Sequence, residues 1–254
     1  NQQNLSTYRQ AGLEYVDYMK RQVDDHTALN RYLSDLRVRQ FTKLKTEQGL
    51  GIAEVNAALS SFDEFSWAFS DTVDPLRDLV SDLTETASAI KTKFLISEDK
   101  QTERQQLLSA GQPEAAGQVR QIVVDFDEEI KPILATLPRY REINETYAQQ
   151  IAEVLPQAPT MPDAALQERM DRFVELARDY TATFPAIEKE MMAWDPHEEV
   201  LLSQSFSAFI FGRDWLTASF WQDWYGIIPL AMGSLMVSLV ALVIAVPLGV
   251  GAAI

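Results

Sequence analysis

The chain of 254 residues contains no cysteine. Disulfides, thiolate nucleophiles and thiolate metal ligands are therefore excluded, although this absence says nothing of compartment. Histidine is almost as scarce, with only His26 and His197, far apart in the sequence. Neither has a second histidine or a suitably spaced carboxylate one helical turn away, as a metal-binding H-E-x-x-H would require. Basic residues are under-represented: 22 Lys and Arg face 37 Asp and Glu, for a net charge of −15. Such a balance argues against nucleic acid, whose phosphates demand Lys and Arg, and against docking on an anionic membrane face. Phosphate-cradling and nucleophile-elbow patterns (G-x-x-x-x-G-K-[ST], G-x-G-x-x-G, G-x-S-x-G) are missing as well. The sequence thus points to no catalytic residue, no metal ligand and no cofactor, and we expect no enzyme.

What the chain does have is one long run without charge. Trp224 to Ile254 reads WYGIIPLAMGSLMVSLVALVIAVPLGVGAAI. A hydrocarbon core about 30 Å thick is crossed by roughly 20 apolar helical residues, so this run is expected to span a membrane with tilt. Past Val200 the charged residues are Arg213, Asp214 and Asp223, a net of −1, which leaves −14 on residues 1–200. The chain starts at Asn1 and its apolar run lasts to the final residue, so it is expected to belong to a longer protein.

Residues 1–200 read as all-α. In the first 48 residues Leu5, Tyr8, Tyr15, Met19, Val23, Leu29, Leu33, Leu36, Phe41 and Leu44 recur at helical spacing, with no proline and the single glycine Gly12. This predicts one rod of forty or so residues, broken near Gly49 and Gly51. A second helix is expected over 52–71. A third should open at Asp74-Pro75, with aspartate as N-cap and proline at the first helical position, and run toward Leu108 with a break near Ser97. Ala110-Gly111-Gln112-Pro113 marks a stop and restart. A helix over 113–137 follows, kinked at Pro132, with Val119, Ile122, Val123, Phe126, Ile130, Ile133 and Leu134 inward. After Tyr140–Leu155, the prolines of Pro156–Pro162 predict a loop, and the last helix runs from Asp163 to Trp194 with a kink at Pro185. Long amphipathic helices that return on one another give an extended antiparallel bundle. Two features have plain structural readings. Asp125-Phe126-Asp127-Glu128-Glu129 lacks the glycine-containing calcium-loop spacing and reads as a solvated helix face. Asp195-Pro196 before His197 reads as another N-cap and first helical residue.

Between the bundle and the apolar run, Phe206, Phe209, Phe211, Trp215, Phe220, Trp221, Trp224 and Tyr225 form an aromatic belt suited to the headgroup level. The flank of the span has one Arg against two Asp, and cytoplasmic flanks are normally rich in Lys and Arg. Residues 1–200 are therefore expected on the outer, periplasmic or extracellular side. The resulting organisation is a helical bundle over 1–200, an aromatic interfacial segment over 201–225 and a transmembrane helix over 226–254.

Phe209-Ile210-Phe211-Gly212-Arg213-Asp214-Trp215, then Tyr225-Gly226-Ile227-Ile228-Pro229-Leu230, Gly233-Ser234-Leu235 and Ala245-Val246-Pro247-Leu248-Gly249 form a pattern. Over Phe209–Ile254 this pattern resembles the phosphate ABC-transporter permease family of the PstC type, with Ser234 where that family usually has Thr. Phe209, Phe211, Gly212, Trp215, Tyr225, Gly226, Gly233, Pro247 and Gly249 carry the likeness. The F-x-F-G-x-x-W lead-in favours the phosphate type over its partner permease, whereas A-V-P-L-G is common among importer permeases. The resemblance implies a bacterial plasma-membrane subunit that works with a second permease subunit, an ABC ATPase dimer and an extracytoplasmic phosphate-binding protein. It implies no substrate-contacting residue within this chain and makes residues 1–200 an insertion; from its position on the delivery side, that bundle is expected to dock or sense a partner. A competing expectation is a membrane-anchored helical sensor of the chemoreceptor or kinase type; a purely structural spacer is the third.

Overall fold

A computed structural model of the chain describes residues 2–198 together with 234, 235, 237 and 238. Two compact units divide the chain: residues 9–196, and a second unit of 1–8 with 197–254. No strand occurs among the described residues. Of the second unit, Ser234, Leu235, Val237 and Ser238 are helical, and the Ser238 hydroxyl donates to the Ser234 carbonyl at 2.8 Å. Among the described residues no helix is long and apolar enough to cross a membrane. The predicted span and aromatic belt lie, but for those four positions, outside the described residues.

Ten helices occur among the described residues: α1 Gln2–Gln10, α2 Leu13–Thr42, α3 Ile52–Asp71, α4 Asp74–Ser109, α5 Pro113–Gln118, α6 Phe126–Glu129, α7 Lys131–Leu134, α8 Leu137–Val154, α9 Ala164–Ala182 and α10 Phe184–Ala193. A π-helical turn, Lys43–Glu47, prolongs α2. Helix α2 is the axis of the unit, and α3, α4, α9 and α10 all pack on it.

Side-chain pairs give the directions. Asn30 meets Ser70 and Arg37 meets Asp63, so α3 runs opposite to α2. Gln22 meets Asn144 and His26 meets Tyr147, so α8 runs parallel to α2. Glu14 meets Trp194, Gln22 meets Tyr180 and Tyr32 meets Arg169, so the α9–α10 rod runs opposite. Helix α4 starts two residues beyond α3 and carries the same direction onward. Its Lys93 pairs with Glu129, just ahead of Ile133, which touches Gly12 at the start of α2. Four rods result, alternating in direction: α2, α3–α4, α8 and α9–α10. This is the antiparallel bundle expected for 1–200, realised over residues 9–196.

The seam of α2 shows why the rods meet where they do. Tyr15, Met19, Gln22, His26, Leu29, Leu33, Leu36 and Gln40 are buried at alternating spacings of four and three, the heptad rhythm that keeps one face toward its neighbours. Facing them are Val55, Leu59, Phe62, Phe65 and Phe69 of α3, and Leu76, Leu79, Val80, Leu83, Ala87 and Ile90 of α4. Phe173, Ala177 and Tyr180 close the core from α9. At the far end Leu44, Val55 and Leu59, with Phe41 and Leu50, form a smaller cluster.

Several expectations need correction. The first rod is broken at Gly12, whose φ of +82° lies in the left-handed region. A Cβ there would come within 2.9 Å of Ile133 Cδ1, so the break also lets the α7 segment approach. Gly12→Ala is expected to lower stability by about 1–2 kcal/mol, the usual cost of a left-handed alanine, measurable as a lower midpoint in thermal denaturation of the full chain.

The predicted helix over 113–137 does not form. Short α5 is followed by irregular residues 119–125 and then by the single turns of α6 and α7. Gly117 and the β-branched Val119, Ile122, Val123 and Val124 weaken a helix there, while Pro132 and Pro138 deny backbone donors and open new turns. Val123, expected inward, is 85% exposed.

Helix α4 runs unbroken through Ser97, which is buried with its hydroxyl donating to the Ile122 carbonyl. Its N-cap is Val73; Asp74 lies inside the helix and pairs with Arg77. On α3, Ile52 and Trp67 are exposed whereas Phe65 is buried. Pro185 breaks the last helix outright, between Ala182 and Phe184. Pro196 and His197 form a turn, and no helix starts there among the described residues.

Candidate functional site

The residues that carry the family resemblance (Phe209, Phe211, Gly212, Trp215, Tyr225, Gly226, Gly233, Pro247 and Gly249) all lie outside the described residues. Within 9–196, the densest chemistry is a polar network sealed in the bundle core, and it has grown from polar residues on the α2 seam.

Gln22 is fully buried. Its Nε2 donates to Asn144 Oδ1 at 2.6 Å, and its Oε1 accepts from the Tyr140 hydroxyl at 2.9 Å. One turn later His26, also fully buried, lies flat on Phe69 with ring centroids 4.6 Å apart and planes at 9°. Its Nδ1 is 2.6 Å from the Tyr147 hydroxyl, which is 2.8 Å from the Tyr180 hydroxyl, and Tyr180 donates to the Gln22 carbonyl at 2.8 Å. The network thus ties α2 to α8 and α9 at one level of the bundle.

Proton counting assigns the histidine tautomer that gives each of these three contacts a proton. A carbonyl can only accept, so the single proton of Tyr180 is committed to Gln22. Tyr147 must then donate to Tyr180, and His26 Nδ1–H must donate to Tyr147. Nε2 is left as a bare acceptor, buried and without a hydrogen bond of normal geometry. Burial, reinforced by the positive charge of Arg77, holds the His26 ring down at about 4, against smaller opposing pulls from the Ser70 backbone and Asp74. Burial pushes the Tyr140, Tyr147 and Tyr180 hydroxyls above their usual range. Near neutral pH every member is uncharged.

Such a site has no accessible nucleophile or base. Its work is to fix register, because each buried polar group is satisfied only when the helices meet at one level. A small cavity of about 160 Å³ abuts it, lined by Thr72, Pro75, Glu142, Ile143, Thr146, Tyr147 and Gln150.

At the N-terminal end of α2 Arg9 makes a bidentate pair with Glu14, and Trp194 Nε1 donates to Glu14 Oε2 at 3.0 Å. Burial raises the Glu14 carboxyl, but the Arg9 and Trp194 hydrogen bonds outweigh it, leaving it below the usual range. Tyr15 stands edge-on to Trp194, its hydroxyl pushed up to about 12 by burial.

The acidic cluster has a structural account. Asp125 caps α6 by accepting from the Asp127 and Glu128 amides, Glu128 pairs with Lys131 and Glu129 with Lys93. No group of three or more His, Asp or Glu placed to hold a metal occurs among the described residues. His26 was legible as a residue near the apolar stripe. Gln22 was missed: its type argued for solvent, yet its spacing of three from Met19 and four from His26 placed it on the seam. No protein-family profile, no curated protein and no solved structure matches this chain.

Proposed function

We propose that the chain forms part of the membrane permease subunit of an ABC importer for inorganic phosphate, with residues 1–200 as a helical domain outside the membrane. The observation that carries this reading is the F-I-F-G-R-D-W lead-in at Phe209–Trp215, followed by Tyr225-Gly226 and an apolar run ending A-V-P-L-G. The autonomy of residues 9–196 as a compact unit is what an insertion ahead of a span requires. Their acidity agrees with the outer side, away from the basic residues favoured at cytoplasmic flanks. In this role the subunit pairs with a second permease subunit and is surrounded by membrane lipid. An ATPase dimer drives it, and an extracytoplasmic phosphate-binding protein delivers substrate to the side where the bundle stands. The bundle's own part is docking or sensing on that side.

Uptake of radiolabelled phosphate in proteoliposomes holding the full-length subunit, its partner permease and the ATPases tests the reading. ATP-dependent accumulation is expected, dependent on the binding protein and indifferent to sulfate. Absence of phosphate accumulation, with an intact signalling response in cells, would favour the membrane-anchored sensor instead. Deleting residues 5–195 tests docking: unchanged uptake and unchanged retention of the binding protein would defeat it.

A further inference from the structure

We propose that His26 makes the bundle an acid-sensitive latch: protonation of its bare ring nitrogen loosens α8 and α9 from α2 as the medium acidifies. The geometry carries the inference. His26 sits at a level where α2, α3, α8 and α9 are joined, stacked on Phe69 and hydrogen-bonded through Tyr147 to Tyr180 and back to α2. It is fully buried, and its Nε2 has no donor to satisfy it. A proton arriving from outside therefore lands on Nε2 and converts the ring to a cation in a closed core.

The groups that would receive that charge are few. On α2, Asp24 and Asp25 immediately precede His26 in sequence; Asp25 is raised, first by burial and then by Asp24. From α3 there are Phe69 and the Ser70 backbone, and from α4 Arg77, which repels the cation, and Asp74, which attracts it. From α8 and α9 the hydroxyls of Tyr147 and Tyr180 join the ring's hydrogen-bond chain, and the Glu142 carboxylate of α8 lines the cavity beside Tyr147. No carboxylate pairs directly with the ring. A charged His26 is relieved by reaching water, and the cavity beside Tyr147, on the α8 side, is where water enters as α8 lifts.

The ring titrates at about 4 when closed and at 6.5 when exposed. The closed state binds fewer protons between those values, so its advantage is complete above about pH 6.5 and declines as pH falls toward 4. The opening equilibrium is expected to rise about 20-fold from pH 7 to pH 5 through this residue alone.

Hydrogen exchange on the full chain in detergent micelles reads this directly, corrected for intrinsic exchange rates. Peptides from α8 and α9 should lose about 20-fold protection between pH 7 and pH 5 in the unaltered chain. In His26→Phe, which keeps the stack on Phe69 but cannot titrate, they should lose far less. An equal loss in both would overturn the proposal. Should the variant fail to fold, the unaltered chain still decides. It has two histidines, and His197→Gln identifies the His26 ring signal in NMR. That signal is expected to stay neutral through pH 6 and to change only as α8 and α9 protection falls. A signal titrating near 6.5 with protection unchanged would overturn the latch.

Discussion

Phe173→Ala is expected to remove about 3–5 kcal/mol of stability, the range for deleting a buried aromatic ring. Phe173 is fully buried on α9 and stands edge-on to Phe69 at 5.0 Å and to Phe65 at 5.9 Å, with Tyr32 stacked at 6.2 Å. Three of the four rods are near it, because α2 supplies Tyr32, α3 supplies Phe65 and Phe69, and α9 supplies Phe173 itself. Neighbours on separate helices cannot all move to close the void, so the loss should fall toward the upper end of the range. A Leu in its place restores part of the volume and should recover a sizeable share. Chemical denaturation of the full chain in detergent checks both, with far-UV circular dichroism following the helices. A Phe173→Ala loss below 1 kcal/mol would mean that α9 does not pack where the structure places it.

Gln22→Leu is the second large effect, and its origin is different. Leucine nearly conserves volume, so little cavity is created, but Asn144 Oδ1 and the Tyr140 hydroxyl both lose a buried partner. Two unsatisfied buried groups at about 1–3 kcal/mol each give an expected loss of about 2–6 kcal/mol. The companion variant separates the network from simple packing. In Gln22→Leu with Asn144→Leu and Tyr140→Phe no orphaned polar atom remains from these pairs, so stability should return most of the way. That recovery would show that the network contributes register more than net stability. The full triple variant showing the summed loss of its parts would contradict it.

How far the sequence spoke for the fold can be argued from particular residues. Helix α3 has the bounds expected for it, 52–71, because Gly51 before it and the hydrophobic spacing within it agree. The last helix starts where expected to within a residue: Asp163, read as its first residue, is instead the N-cap of α9, accepting from the Ala165 and Leu166 amides and also from Lys43. Gly111, at φ +73°, ends α4 where a glycine before Pro113 predicts a stop. Misreadings arose where two rules competed. Gly12 lies inside a continuous apolar period, and periodicity alone carried the helix across it; the contact with Ile133 that justifies the break is 121 residues distant. Between 113 and 137 the apolar residues do recur at helical spacing, but β-branching and two prolines override the pattern locally. The core network was the least legible feature. Residue type assigns Gln22 and Asn144 to solvent, and only the seam spacing, with tyrosines on two other helices, reveals that each polar group has a buried partner. The residues on which the phosphate reading rests lie outside the described part.

The absence of cysteine permits a direct measurement of the central claim, a packed helical bundle held outside the membrane. Ser81→Cys on the exposed face of α4 and Ala87→Cys, fully buried on the same helix, would each be treated in intact cells with a membrane-impermeant maleimide. The prediction is rapid labelling of Ser81→Cys without permeabilisation, and labelling of Ala87→Cys only after denaturation. Labelling of Ser81→Cys only after the membrane is breached would place the bundle inside, and equal rates at the two positions would deny the packed core.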